Sequence, residues 1–400
     1  MDFDLIISGG GPAGLCLARA LSGCGLRLAV VEQQPRAALE NPAFDGREIA
    51  LTQHAAQLMR DLGLWERIAP HALSPLRDAR VLNGPSPFAM VIGHALGRHS
   101  ELGWLVSNHL IRRAAFEAVQ DAIEKNGDIT LLAGDAVATV RSDTTAAHVT
   151  LASGSILQAK LLVAADSRFS TTRRAMGIAA DLHDFGRSML VCCMTHDAPH
   201  HHAAWEWFDY GQTLALLPMN DDPATGAHRS SVVLTLPSHA IDPLVTLAPA
   251  GFNTEMARRF DHRLGTMTLA STRHAYPLVA VYPRKLVAQR FACVGDAAVG
   301  MHPVTAHGFN FGLLGIESLA GIVRAAHAGG HDIAEASGLA RYEKGQRRAT
   351  LPLYLATQLI TQLYTRDTPP ARALRTLALQ VGERFTPFKR LIAASLTGGR

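Results

Sequence analysis

The sequence predicts an α/β protein: a Rossmann-type dinucleotide-binding domain with an inserted antiparallel β-sheet substrate domain and a C-terminal helical region. Three observations predict it. Apolar residues 5–7 run into Gly9-x-Gly11-x-x-Gly14 and a helical pattern, after which apolar residues 28–31 end at Glu32. Residues 180–280 change character to alternating apolar and polar runs separated by turn-rich stretches. From Phe309 onward, apolar residues recur at helical spacing.

In the N-terminal unit, Gly9 allows a tight turn, Gly11 lets the backbone approach a pyrophosphate, and Gly14 lets the helix pack close to the strand. Pro12 and Ala13 open that helix, whose N-terminus offers free N–H groups and a positive dipole end to phosphates. Glu32, followed by Gln33, stands where a carboxylate accepts the hydroxyls of an adenosine ribose. A glycine-rich turn before a helix also arises for structural reasons alone. Here the strand, helix, second strand and terminal acid are all in register, which favours the dinucleotide.

A chain of 400 residues is long enough for two intertwined domains. Hydrophobic content of 48% and charged content of 18% describe a globular enzyme, and a net charge of +4 gives no case for nucleic acid. Cys16, Cys24, Cys192, Cys193 and Cys293 show no CxxC spacing, so reduced thiols are expected. The chain enters its first strand without a basic and apolar leader, and no window reaches the ~20 uninterrupted apolar residues of a membrane span. The expectation is a cytoplasmic protein, at most peripheral to the inner face of a membrane.

After the first unit a loop leads into a helix that starts at Thr52 and closes at Gly63. Residues 76–105 alternate and are broken by Gly and Pro, as a small sheet would be. Leu110, Ala114, Phe116, Val119 and Ile123 mark a helix over 108–126. Strands follow at 129–132 and at 136–141, the latter paired with 148–151, and 161–165 is a buried strand ending at Asp166. Residues 290–294 return to a buried strand. The dinucleotide-binding part thus comprises residues 1–75, 106–178 and 281–345. The substrate part comprises 76–105 and 179–280, and the helical region 346–400.

Two further segments carry chemistry. One reads Leu162-Val-Ala-Ala-Asp166-Ser-Arg-Phe-Ser170-Thr-Thr-Arg173. The other reads Gly295-Asp296-Ala-Ala-Val-Gly-Met-His-Pro303-Val-Thr-Ala-His307-Gly308-Phe309-Asn310-Phe-Gly312. With the N-terminal glycines, they resemble in order and spacing the three signatures of the FAD-dependent aromatic hydroxylases, the class A flavoprotein monooxygenases. Those signatures are GxGxxG, a mid-chain DG motif, and a later GD motif followed by Pro and a glycine-rich helix start. Further likenesses point to the ubiquinone-biosynthesis hydroxylase family (UbiH/UbiF/UbiM-like). They are Leu102-Gly-Trp-Leu-Val-Ser-Asn108, Leu214-Ala-Leu-Leu-Pro218, Tyr276-Pro-Leu, and Tyr342-Glu343 with Arg347-Arg348.

The resemblance implies FAD as cofactor, NAD(P)H as electron donor and O2 as co-substrate. It implies that Asp296 takes a ribityl hydroxyl and that Pro303 lies near the isoalloxazine face. The helix opened by Gly308, Phe309 and Asn310 would stabilise negative charge at the flavin N1–C2=O edge. Asp166 enters through the DG motif. Arg47 is placed against the pyrophosphate, where a guanidinium makes a bidentate contact; an ordinary surface arginine is the alternative. Arg112 or Arg113 could act similarly, and the sequence does not choose between them. The chain departs from the family at Ser167, where Gly is usual, and at Ala306-His307, where Gly and Gln are usual. His307 is a catalytic candidate beside the flavin, or a structural replacement for glutamine.

Trp205, Trp207 and Leu216 are read as lining the substrate pocket from the inserted sheet, with sheet core as the alternative. His196 and His200 to His202 lack an acid or Cys to complete a ligand set, so they are read as a solvated loop and no metal is expected. Arg366, Arg372, Arg375, Arg384, Lys389 and Arg390 lie among apolar positions at helical spacing. They fit either a helical cap or an amphipathic surface that touches anionic lipid. The implied activity is hydroxylation of the aromatic ring of a polyprenylated ubiquinone precursor by way of a flavin C4a-hydroperoxide. Its partners would be a lipophilic aromatic or quinone substrate and a membrane or biosynthetic complex. The alternatives are hydroxylation of another aromatic small molecule, flavin-dependent reduction of prenyl chains, and a non-catalytic FAD-binding accessory role.

Overall fold

The computed structural model describes residues 1–86, 88–96, 99–302, 307–365, 375, 379–385, 389, 390 and 393. Its first sheet is built on the continuous apolar runs of the sequence. Phe3–Ser8 pairs in parallel with Leu28–Glu32 on one side and with Ile156–Ala164 on the other. Ile129–Ala133 and Phe291–Cys293 extend the parallel order outward. Pro12–Leu21 packs on this sheet and against Asn108–Asn126 and Gly308–Ala328, which leaves Leu5, Ile6 and Ile7 fully buried. Because the strands are parallel, their carboxyl ends share one edge, and the GxGxxG turn, the Asp166-Ser167 loop and the Gly295-Asp296 loop all leave the sheet there.

The hairpin Val137–Ser142 with Ala147–Leu151 forms as the alternation predicts and pairs onto Ile156–Ala164. The inserted part is an eight-stranded sheet in the order Met267–Leu269, Ala180–His196, His228–Pro237, Gln212–Met219, Ala203–Asp209, Asp78–Asn83, Ala89–Gly93, with His274–Pro283 also paired to Ala180–His196. Two features differ from the expectation. Residues 76–105 are not a sheet of their own. Their middle joins the large sheet, while Gly103–Ser107 pairs with Glu48–Thr52 on one side and Ser74–Leu76 on the other in a separate three-stranded sheet. The large sheet is also not purely antiparallel, because Ala203–Asp209 runs parallel to Asp78–Asn83. The two strands come from distant segments with no tight turn to reverse the chain between them.

Strand alternation gives the large sheet two apolar faces. Leu190, Cys192, Met194, Trp207, Leu214 and Leu216 point to Phe252, Met256 and Phe260 in and just beyond the helix Pro249–Arg259. On the opposite face, Cys193, Leu217 and Met219 meet Leu105 and Ala50 of the three-stranded sheet. Val81, Met90, Ile92 and Ala204 continue that second face toward Leu102, Leu379 and Ala393. The second face is the one turned toward the first sheet.

Gly308–Ala328 is, among the described residues, the one helix long and apolar enough to cross a bilayer. Its Leu313, Ile316, Leu319 and Val323 are buried in the main core, so here it is a core helix. The long helix Ala336–Thr365 fastens both halves. The Tyr342 hydroxyl donates to Cys293 O at 2.6 Å, Glu343 Oε1 accepts from Leu286 N at 2.8 Å, and Gln346 Nε2 donates to Phe311 O at 2.9 Å. No disulfide joins the five cysteines: four are buried and Cys24 is half-buried. Of the C-terminal basic residues, Arg384 and Arg390 are exposed, Lys389 pairs with Glu383 at 2.8 Å, and Arg375 is fully buried rather than part of a basic surface. Arg366 and Arg372 lie outside the described residues.

Candidate active site

The first turn of the chain is held by contact with a strand 150 residues away. Gly9 has φ +111°, and a Cβ there would stand 2.6 Å from Ala165 O and 2.8 Å from Asp166 Cα. Only glycine meets both demands. Gly14 is buried under the same turn. A Cβ on Gly11 would meet nothing within 4 Å, so space is open in front of the helix start, and Gly11, Pro12 and Ala13 open it with no side-chain cap. The first-turn N–H groups are therefore available to an anion. At the end of the neighbouring strand, Glu32 accepts from Gly10 N at 2.6 Å and from Gln34 N at 2.8 Å. Arg112 reaches Gln34 Oε1 at 3.1 Å, whereas Arg113 pairs with Glu117, so Arg112 is the one turned to this end. Gln33 is exposed.

The other two motifs close on this turn. Gly295 has φ +59°, and a Cβ there would lie 2.6 Å from Ala13 Cβ, so the GD loop rests directly on the N-terminal helix start. Asp296 follows it. Its Oδ2 accepts from Arg168 Nη2 at 3.3 Å, and its Oδ1 lies 4.0 Å from where a Gly308 Cβ would stand. Arg173, 3% exposed, donates from Nη1 to Arg168 O at 3.1 Å and to Ala297 O at 3.0 Å. That one side chain ties the DG loop to the GD loop. Ser170 Oγ accepts from Arg173 N at 2.9 Å, which sets the turn that aims it. Asp166 accepts from Thr172 N at 3.4 Å through Oδ2, while its buried Oδ1 has no partner among the described residues.

Arg47 is not a free surface arginine. Its Nε and Nη2 donate to Asp45 Oδ2 at 3.1 and 2.6 Å, and the guanidinium sits 5.5 Å over the Tyr276 ring. Asn108 Nδ2 adds a third donation to Asp45 at 2.7 Å, and the Tyr276 hydroxyl donates to Asp45 O at 2.8 Å. Burial works against the Asp45 carboxylate, but the adjoining Arg47 outweighs it and holds Asp45 below the usual carboxylate range. Asp296 is close enough for its charge to act on Arg47, so the arginine and the GD acid converge. Asp45 and Arg168 were missed in the sequence. The Asp-x-Arg spacing at 45–47 was a signal for the first, and nothing local marks the second.

Asn310 spends its side chain internally: Oδ1 accepts from Thr52 N at 3.0 Å and Nδ2 donates to Ala50 O at 2.8 Å. It staples the helix start to the three-stranded sheet and leaves its backbone as the part available to a cofactor. His307 is the residue before Gly308–Ala328, 7% exposed, with its ring 5.7 Å from that of Phe311. Phe309 packs at the margin of the main core. Pro303 lies outside the described residues.

Trp205, Trp207 and Leu216 are placed differently from the pocket-lining expectation. Trp207 is 3% exposed, donates from Nε1 to Gly84 O at 2.8 Å and carries Arg263 4.2 Å over its ring. Leu216 is fully buried in the same cluster, and Trp205 packs against it. All three belong to the face turned to Pro249–Arg259, away from the glycine motifs. The alternation of a strand names two faces but not which one meets the cofactor domain. The residue between the tryptophans, Glu206, is on the near face, and its signal was an acid inside an apolar strand. The histidine cluster also differs. His196 and His200 are each 5% exposed, not solvated, with His196 Nε2 2.8 Å from Ser230 Oγ and His200 Nε2 2.9 Å from Met219 O. Burial pushes His200 down to about 4. The described residues hold no His, Cys, Asp and Glu group with metal-ligand geometry.

A parallel sheet whose glycine turn, DG loop and GD loop meet at one carboxyl edge defines a flavoprotein, and the chain belongs to the FAD-binding-domain family, whose model matches residues 2–351. More particularly, it is similar to ubiquinone hydroxylase UbiM of Neisseria meningitidis, with 42% identity over 399 residues, 99% of this chain and 84% of that protein. Ubiquinone hydroxylase UbiL of Rhodospirillum rubrum is 32% identical over 99% of this chain and 89% of its own. The crystal structure of p-nitrophenol 4-monooxygenase PnpA from Pseudomonas putida DLL-E4 shares the fold, with a TM-score of 0.77 at 19% identity over 99% of this chain and 98% of that one. The cofactor is FAD, and the residues present fit it. Open space stands before the Gly11 helix start, and the buried Asp166 Oδ1 at the motif junction lacks a partner among the described residues.

Proposed function

We propose that this chain is an FAD-dependent monooxygenase that hydroxylates the aromatic ring of a polyprenylated ubiquinone precursor, with NAD(P)H as electron donor and O2 as co-substrate. The observation that carries the reading is full-length similarity to two proteins named as ubiquinone hydroxylases, at 42% and 32% identity. FAD, when bound, supplies the electron transfer and oxygen activation that no side chain provides. The chain's own residues bind, orient and enclose. Glu32 holds the adenosine ribose, and the Gly11 helix start with Arg47 holds the pyrophosphate. Asp296 takes a ribityl hydroxyl, and the N–H groups at Gly308 to Asn310 stabilise negative charge at the flavin edge. The near face of the large sheet closes the ring site from water. His307 acts by position at this end.

The protein is read as cytoplasmic and peripheral to the inner face of the membrane. Support comes from exposed Leu355, Leu359, Val381 and Phe385 together with exposed Arg384 and Arg390 in its last described part. The test is expression in cells that lack their own ring hydroxylases, with mass analysis of the accumulated quinone precursor. Loss of the precursor and appearance of a species one oxygen heavier is the expected result. A chain-saturated product, or an unchanged precursor despite full FAD loading, would overturn the assignment.

A further inference from the structure

The near face of the large sheet carries a glutamate inside an apolar stretch. Glu206 stands in the strand Ala203–Asp209, cross-paired with Val81 on one side and Ala215 on the other. The row continues through Met90 beyond Val81, and through Val233 and Val191 beyond Ala215. Its chain neighbours Trp205 and Trp207 point the opposite way, into the helix-backed core. Ala204, one pair along the same face, packs with Val81, Met90 and Ile92 against Leu102 and the C-terminal Leu379 and Ala393. The carboxyl makes no hydrogen bond or ion pair with any described residue, and the residue is half-buried on this apolar face. A carboxyl so placed has its hydrogen-bonding capacity unspent and open to a partner that meets this face.

We propose that Glu206 is a catalytic residue that receives the ring hydroxyl of a phenolic substrate, whose apolar part lies against the half-buried Val81, Ala204 and Ala215 of the same face. The inference rests on the hydroxylase reading above and adds the orientation of the ring. The carboxylate accepts the hydroxyl hydrogen bond and takes the proton as the ring is oxidised. The phenol O–H bond breaks, the carboxyl O–H bond forms, and the electron pair stays on the ring oxygen, enriching the carbons ortho and para to it. One of those carbons gains an oxygen atom from O2, with NAD(P)H supplying two electrons, and the proton it loses joins a solvent proton on the second oxygen atom, which leaves as water. The ring oxygen then takes back a proton from Glu206, which ends the cycle as it began. Proton transfer by a positioned group contributes about 10²- to 10⁴-fold in rate.

Burial pushes the Glu206 carboxyl up to about 8, and no charged side chain offsets it. The charged groups on the elements packed against this face are engaged elsewhere. Glu48 feels Arg229 and Asp45, and Glu383 accepts from Val91 N and pairs with Lys389. The ionised fraction of Glu206 therefore rises through mildly alkaline pH, and with it the strength of the contact to a phenol.

The experiment compares wild-type and Glu206→Gln holoenzyme, using 2-geranylphenol and its methyl ether as ligands. Binding is read by quenching of flavin fluorescence from pH 6.5 to 9, and FAD content and melting temperature are read alongside. Wild type is expected to bind the phenol more tightly as pH rises through about 8. Glu206→Gln is expected to lose that dependence and about tenfold or more in phenol affinity at pH 9. The methyl ether should bind both proteins alike. Equal phenol affinity in the two proteins across the range would overturn the proposal. So would a variant that melts well below wild type, since an unpartnered carboxyl has no contact to lose. A wild type that shows the pH-dependent phenol binding but forms no hydroxylated product sinks the hydroxylase reading and leaves this contact standing. Unaltered product formation by Glu206→Gln does the reverse.

Discussion

Glu48 shows how one buried carboxyl couples this site to pH. It opens the strand Glu48–Thr52 next to Arg47, accepts from the Ser107 hydroxyl, and lies near enough to Arg229 and Cys193 for their charges to interact. Burial raises its carboxyl to about 7, and Ser107 and Arg229 offset only part of that. An unfolded glutamate titrates near ~4.3, so the folded state holds this proton more tightly. The associated stability is fully present below the unfolded value and is lost as pH rises through about 7. Glu48→Gln cannot ionise. It is expected to melt several degrees above wild type at pH 8.5 and to converge with it near pH 4.5. Thermal denaturation followed by tryptophan fluorescence at the two pH values decides this, and a gap that narrows on going alkaline would contradict it.

Among the elements, the short helix Thr171–Ala175 that holds Arg173 decides whether the two acidic motifs meet. Its guanidinium is buried and bonds backbone carbonyls on both loops. Arg173→Ala would strand Ala297 O and Arg168 O without their donor, at a cost of about 2–4 kcal/mol. The variant should release FAD at a lower denaturant concentration than wild type, with flavin fluorescence rising before the tryptophan signal changes. Coincident transitions at the wild-type midpoint would show the tie to be dispensable.

These same elements show what can be read from a sequence. The strand, glycine turn and helix of residues 3–21 were legible because each is defined by its own neighbours: apolar run, Gly9, Pro12, helical spacing. The helix Asn108–Asn126 was legible for the same reason. The tie made by Arg173 to Ala297 was not, since its partner is 124 residues away and is a carbonyl, which every residue has. Tyr342, Glu343 and Arg347 stood out by resemblance, and the structure shows them fastening the helix Ala336–Thr365 to Cys293, Leu286 and Pro283. The Trp205 and Trp207 placement failed on facing alone, as did the histidines. A loop sequence rich in His gives no sign that His196 and His200 fold under the end of the large sheet.

At the scale of the whole molecule, the three sheets and the helix Ala336–Thr365 form a body without disulfide cross-links. Cys16, Cys192, Cys193 and Cys293 are sealed, and burial raises Cys16, Cys192 and Cys193 to about 12 each. Only Cys24 is partly open. Ellman's reagent should therefore titrate one thiol in the native holoenzyme and five after denaturation. More than one fast-reacting thiol in the native protein would show that the packing around the first sheet opens readily. The helix Ala336–Thr365 should delay that opening, because it anchors strands of the first and the large sheet at once.

The first sheet is assembled from strands far apart in the chain, with Phe291–Cys293 docking beside Ile156–Ala164 and the GD loop following directly. Synthesis on the ribosome therefore delivers the adenosine-side turn long before the flavin-side loop. A nascent chain stalled before that loop presents an unfinished edge strand and half a socket, which is a surface suited to chaperones and to misassembly. Flavin loading then waits for the strand Phe291–Cys293 and the loop after it, because the socket is incomplete until they dock.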